Sequence, residues 1–108
     1  MKTLKFKDFK AKWILSGIKT SSMRLFDEKN IQKDDDLELI NSDTQEKFAN
    51  ARVVEVVEKK IKDLCDNDFD GHEKFESNKQ MFEIYKKYYG DRVDENTIVK
   101  IIKFKLIK

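Results

Sequence analysis

The sequence contains no proline, one cysteine, one histidine, one tryptophan and three glycines. A lone cysteine, Cys65, excludes an intramolecular disulfide and any zinc site built from several cysteines. A lone histidine, His72, argues against a histidine-dominated metal centre. No apolar run approaches the roughly 20 residues that a membrane helix requires. The first residues, Met1-Lys2-Thr3-Leu4-Lys5-Phe6-Lys7, carry lysines but no apolar segment of the signal-peptide kind. The expectation is a protein of a reducing, cytoplasmic compartment, with no membrane contact, no metal and no organic cofactor. Excess charge is missing too. Lys and Arg number 23 and Asp and Glu 21, a net charge of +2, so bulk charge does not make this chain a nucleic-acid binder. Arginine is scarce, confined to Arg24, Arg52 and Arg92. A Lys- and Glu-rich composition is weakly compatible with a thermophile, but the absence of proline argues the other way.

What is present is a chain of 108 residues, 41% charged and 11% aromatic, with eight phenylalanines. Size gives a single domain, 1–108, and so many aromatics predict a folded one. Residues 8–16 read as a short helix with Phe9, Trp13 and Ser16 on one side, Asp8 as its cap and Gly17 as its left-handed stop. Residues 18–26 read as extended, with Ser22 and Arg24 on one face and Met23 and Leu25 on the other. Asp34 to Asp36 reads as a turn and 37–41 as a short strand. The β-branched run Val53, Val54, Val56, Val57 and Ile61 makes 48–62 a strand. Ser77 to Gln80 matches a capping box. Behind it Met81, Ile84, Tyr85, Tyr88 and Tyr89 recur at helical spacing, so 78–89 is the clearest helix, stopped by Gly90. The closing segment 97–107 is a strand with Ile102, Phe104 and Leu106 on one side and a wet face carrying Lys100, Lys103 and Lys105. The order predicts an α+β fold, a small curled sheet or barrel with two helices.

The stretch Gly17-Ile18-Lys19-Thr20-Ser21-Ser22-Met23-Arg24 resembles the signature G-x-K-x-x-[ST/E]-x-R of the ASCH domain, a branch of the PUA-like superfamily. Three later features agree in order. Lys33 to Leu39 resembles the family's turn and strand, with Asp36 before the apolar run. Asp70 to Phe75 resembles its loop with a Gly-His-Glu element, here Gly71-His72-Glu73. Tyr88-Tyr89-Gly90 followed by Val99 to Leu106 resembles its helix-to-last-strand ending. Two positions depart from the pattern. Asp35 stands where the family often has glycine, and Ser22 stands where the N(4)-acetylcytidine amidohydrolase branch has threonine.

The resemblance implies a PUA-like, partly closed, mostly antiparallel β-barrel with two flanking or plugging helices. It implies RNA or nucleoside metabolism and, in the enzymatic branch, an amidohydrolase that deacylates N(4)-acetylcytidine or a related acylated nucleoside. The roles carried over are Ser22 as nucleophile, Lys19 as base and Glu73 as the third, acidic member. Arg24, Thr20, His72 and Tyr89 are the expected ligand-binding positions. The alternative is a module that binds a nucleotide or single-stranded RNA without chemistry, or cleaves RNA weakly.

Elementary chemistry supports either use. Amide hydrolysis needs a nucleophile, a base and an acid for the leaving amine. An amine beside a desolvated guanidinium is easier to deprotonate, and Arg24 could hold a developing oxyanion. Strict strand alternation would turn Lys19 away from Ser22 and Arg24, so the three converge only if the chain bends just after Gly17. Binding would instead use Lys19 and Arg24 on phosphates or base edges, with Phe26, Tyr88 or Tyr89 stacking on a base. The bland readings are a core Trp13, core tyrosines at 85 and 88, a small buried Cys65, an Arg24 paired with Glu73, a His72 bonded to backbone, and solvated turns in the Asp clusters.

Overall fold

The computed structural model describes residues 2–26, 29–65, 68 and 78–107. Glu73, His72, the Ser77 cap and the Gly71 loop lie outside the described residues, as does any pairing of Arg24 with Glu73.

The elements are β1 (Lys2–Phe6), α1 (Asp8–Leu15), β2 (Ser21–Leu25), β3 (Asp36–Asn41), β4 (Lys47–Lys60), α2 (Asn78–Tyr89) and β5 (Ile98–Ile107). The strands form one mixed sheet in the order β1-β3-β4-β5-β2. Only the β1–β3 pair is parallel. The sheet curls into a half-barrel, and with its two helices the fold is α+β, as the sequence predicts. Residues 2–6 were not expected as a strand. Their alternation is short, but Leu4 and Phe6 are buried while Lys5 is exposed, which is the period-2 pattern of a strand with one wet side.

Curling comes from β4. Its 14 residues pair with β3 through the first part and with β5 through the rest, and the register slips between Val53 and Glu55. A bulge there bends a strand too long for one flat sheet. Strand β5 then serves two apolar clusters. Ile102 and Phe104 join Leu4, Phe6, Ile14, Ile31, Leu37, Leu39, Ala51 and Val53 inside the half-barrel. Val99 and Ile101 join Met23, Leu25, Ile61, Leu64, Met81, Tyr85 and Val93 under α2. The single wet face expected for this strand is therefore wrong for its first half. Lys103 and Lys105 are at least partly exposed, but Lys100 is 8% exposed.

Helix α1 also differs in its details. It buries Ala11 and Ile14, leaving Phe9 and Trp13 on the open side. Asp8 is its first residue, not its cap. The Asp8 amide donates to Asp43 Oδ2 at 2.8 Å, so the cap comes from the β3–β4 turn. Asn41 locks that turn, donating to Asp8 Oδ1 and accepting from the amides of Asp43 and Thr44. Cys65 is exposed, not a small core residue. Asp36 belongs to β3, and the turn before it is held by Asp35, which accepts from Lys2 Nζ at 2.7 Å and from the Gln32 amide at 2.8 Å.

Two predictions follow from this packing. Leu39 is fully buried in the half-barrel, and Leu39→Ala should lower unfolding free energy by about 2–5 kcal/mol, read from urea midpoints. The hydrogen bond from Lys2, followed by the Gln32 amide, holds the Asp35 carboxyl below its ordinary pKa. A depressed folded-state pKa gives stability that is present above the unfolded carboxylate value of about 3.9 and is lost as pH falls through the folded value. Asp35→Asn should therefore destabilise the protein at about pH 6, and the gap to wild type should close towards about pH 2.

Candidate functional site

A cleft of about 550 Å³ opens where the sheet fails to close. Strands β1 and β2 are its two edges, so neither has a strand partner on its outer side among the described residues. β1 contributes Lys5 and Phe6, the junction after it Lys7, α1 contributes Phe9, Lys10 and Trp13, and β2 contributes Ser22, Met23 and Arg24. Lys19, Ser42 and the α2 residues Ile84, Tyr85, Tyr88 and Tyr89 complete the lining.

Lys19 arrives there through the turn after α1. Gly17 has φ +86°, the left-handed value that glycine adopts without strain. The amides of Ile18 and Lys19 both reach back to the Trp13 carbonyl, at 3.0 and 3.2 Å. That wrap reverses the chain and sends Lys19 inward, where it is 3% exposed. The bend that strand alternation alone would forbid is thus present. Ser22 is equally buried, at 3%. It lies opposite Ile102 of β5, while Met23, opposite Ile101, and Leu25 join the cluster under α2.

Arg24 ties the site together. Its Nε donates to Ser22 Oγ at 2.7 Å. Its Nη2 donates to the Lys5 carbonyl at 2.8 Å. The guanidinium carbon sits 4.9 Å from the centre of the Phe6 ring, a cation–π distance. One side chain on β2 thereby grips the backbone and a ring of β1 across the open seam.

Aromatic rings form the two walls. On α1, Phe9 and Trp13 meet edge to face with centroids 5.2 Å apart, and Lys10 Nζ stands 5.9 Å from the Phe9 centroid. Across the cleft, Tyr89 packs edge-on against Phe26 at 5.7 Å and tilted against Tyr85 at 6.3 Å. Arg92 caps the outer face of Phe26 at 4.2 Å. Phe26 itself has φ +53°, a left-handed value uncommon for an aromatic residue.

Of the expected site residues, Lys19, Ser22, Arg24 and Tyr89 line this one cleft. Thr20 does not. It is exposed, its carbonyl is taken by the Phe104 amide, and it borders a separate hollow of about 300 Å³ near Leu15 and Phe104. Glu73 and His72 are not among the described residues. Sequence reasoning missed Lys5, Lys7, Phe9, Lys10 and Trp13. Trp13 is 37% exposed and Tyr88 63%, so neither is the core residue expected of it. The available signal was the Phe9–Trp13 spacing of four, which defines a stripe but not whether that stripe meets protein or solvent. Among the described lining residues five are cationic and none is acidic. No three described His, Cys, Asp or Glu residues are grouped to hold a metal, and no described helix is long and apolar enough to cross a membrane.

Exchanging Arg24 for lysine keeps the charge but removes the planar fork that holds both sheet edges. Arg24→Lys should lower stability by about 1–3 kcal/mol in urea unfolding.

A scan against protein-family models and a search of curated proteins each found no match. Solved structures do match, at low identity. An ASCH domain from Lactobacillus crispatus JV V101 is 14% identical over 97% of this chain and 79% of that one, with a TM-score of 0.70. A mutant of the ASCH protein from Zymomonas mobilis is 13% identical over 95% of this chain and 66% of that one, also at 0.70. The hypothetical protein PH0355 is 18% identical over 99% of this chain and all of that one, with a TM-score of 0.74. The mixed half-barrel with its two helices is the fold of the ASCH domain.

Proposed function

We propose that this protein acts in RNA or nucleoside metabolism and that its cleft binds a nucleoside-type ligand. One observation carries the reading: aromatic rings from α1 and α2 line the same cleft as Lys19, Ser22 and Arg24. Rings on facing helices suit a flat, polarisable base, and a stacked base contributes ~1–3 kcal/mol. The polar floor suits the hydrogen-bonding edge of that base or its substituents. The cleft volume falls within the usual range for a small ligand.

A second reading, amide hydrolysis of an acylated cytidine, is favoured by the bond from Arg24 Nε to Ser22 Oγ. A cationic donor at 2.7 Å stabilises negative charge on that oxygen. It eases loss of the hydroxyl proton and occupies one of the oxygen's lone pairs, leaving the O–H to donate to a base. In this reading Ser22 Oγ attacks the acyl carbonyl carbon and Lys19 accepts the proton. The C–N bond then breaks as that proton passes to the leaving cytidine amine. Water hydrolyses the acyl-serine ester, releasing the carboxylic acid and restoring Ser22. Glu73 enters as the acidic partner by its resemblance to the family loop. Serine has a freer χ1 than threonine, so slower turnover than in a threonine enzyme is expected.

Trp13 is the only tryptophan in the chain and stands in the cleft wall, so its fluorescence reports binding directly. Cytidine should quench or shift that emission with saturation. Incubation with N(4)-acetylcytidine should release cytidine, measured by chromatography, and Ser22→Ala should abolish release while the fluorescence response persists. An emission that stays flat up to millimolar cytidine sinks the binding reading. Cytidine release that survives Ser22→Ala sinks the catalytic one.

A further inference from the structure

We infer that the open edge of β2 recognises the base through its main chain: the Met23 N–H donates to a ring nitrogen of the base, and the Met23 carbonyl accepts from the exocyclic amino group beside that nitrogen. Cytosine and adenine both carry such an edge. The inference rests on the nucleoside reading above and specifies how the base is held.

The strand register identifies the groups. The Phe104 amide donates to the Thr20 carbonyl at 3.0 Å, and the pairing runs on antiparallel, with Ser21 opposite Lys103 and Ser22 opposite Ile102. In such a ladder the pairs that exchange hydrogen bonds alternate with pairs that do not. Thr20, Ser22 and Arg24 therefore turn their N–H and C=O towards β5. Ser21, Met23 and Leu25 turn theirs the other way, into the seam. Of these three only Met23 lines the cleft. Its side chain belongs to the cluster under α2, so its main chain is what borders the seam.

Met23 is 6% exposed, and among the described residues nothing bonds its N–H or its C=O. Main-chain groups so little exposed are paired in nearly all proteins. On the facing edge the carbonyls are already taken, that of Thr3 by Lys29 and that of Lys5 by Arg24. Met23 instead offers a donor and an acceptor side by side, in the cleft that Phe9, Trp13, Tyr85 and Tyr89 also line. A second strand would match that pair, and so does a base with an acceptor nitrogen next to an amino group. An acyl group on the exocyclic nitrogen of cytidine leaves one N–H there, so the acylated nucleoside keeps both partners.

Amide NMR of isotope-labelled protein reads the contact directly, with Trp13 emission reporting binding in parallel. Cytidine should move the Met23 amide proton downfield, and by more than those of Ser22 and Arg24, which are tied to β5. Pyrimidin-2-one riboside, which is cytidine without its amino group, should bind about tenfold more weakly than cytidine. Adenosine carries the same edge on a larger ring. Whichever of adenosine and cytidine binds more tightly names the base, and both results uphold the inference. Met23→Pro removes the outward N–H without touching the ladder and should weaken cytidine binding about tenfold. Leu25→Pro removes an outward N–H of the same edge away from the cleft and should not, with urea unfolding run on both to verify the fold. If Met23→Pro fails to fold, the amide shift decides. Emission that reports cytidine binding while the Met23 amide stays still overturns the inference and leaves the nucleoside reading standing. Equal binding of cytidine and pyrimidin-2-one riboside overturns the role of the carbonyl, and equal losses in the two proline variants overturn that of the amide. No response to either nucleoside in emission or amide shift removes both readings.

Discussion

A sheet of five curled strands that stops short of closure must do something with two bare edges, and here the Arg24 guanidinium on one edge bonds to the backbone of the other. An unpaired edge exposes a row of carbonyls and amides that would otherwise recruit another chain. On β1 those acceptors are met by side chains. Lys29 Nζ donates to the Thr3 carbonyl at 2.6 Å, and Arg24 Nη2 donates to the Lys5 carbonyl at 2.8 Å. Thr3 and Lys5 are two residues apart, so their carbonyls point to the same outer side. Arg24 thus replaces a missing strand with one ionic side chain. That substitute leaves space where a strand would have been, and the space is the cleft. The residue that restrains the seam is also the residue that touches Ser22, so the site is preorganised by the same contact that limits how far the barrel can open.

Two clusters make this arrangement stable enough to hold a gap. β5 is shared between them, with Ile102 and Phe104 turned one way and Val99 and Ile101 the other. A strand buried on both faces reads as a continuous apolar run instead of an alternation, and Val99 with Ile101-Ile102 supplies that run. The consequence for the site is indirect but strong. β2 is hydrogen-bonded to β5 along its whole length, so Ser22 and Arg24 are carried by a rigid element while α1 and α2 merely flank them.

How much of this was legible depended on whether a residue's neighbours were local in sequence. The helix at 78–89, the long strand expected over 48–62 and found at Lys47–Lys60, and the positive φ of Gly17 each follow from local patterns. Strand β1 was missed because five residues with two lysines resemble a charged tail until Leu37 and Leu39 are known to lie beside them. Trp13 and Tyr88 were misplaced for a related reason. Their helical spacing is correct, but it was read as a core stripe when it lines a cavity. Lys100 is expected on the wet face with Lys103 and Lys105, but strict alternation from Lys103 reaches Ile101 and sets Lys100 on the side of Ile102 and Phe104, where it is buried. Thr20 was assigned by position in a motif, and its own carbonyl bond to Phe104 turns it out of the cleft.

Net charge hides how the charges are placed. The total of +2 is an average over a surface on which the charges are sorted. Acids gather at the β3 end, where Asp35 holds Lys2 and Asp36 holds Arg52 at 3.0 Å, and at Asp68, which holds Lys59. Cations gather in the cleft, where none of the described lining residues is acidic. Beyond a Debye length of ~8 Å at physiological salt a passing molecule senses little of either group. Beside the apolar walls of the cleft the local dielectric is lower, so charge on its lining is screened less than charge on the open surface.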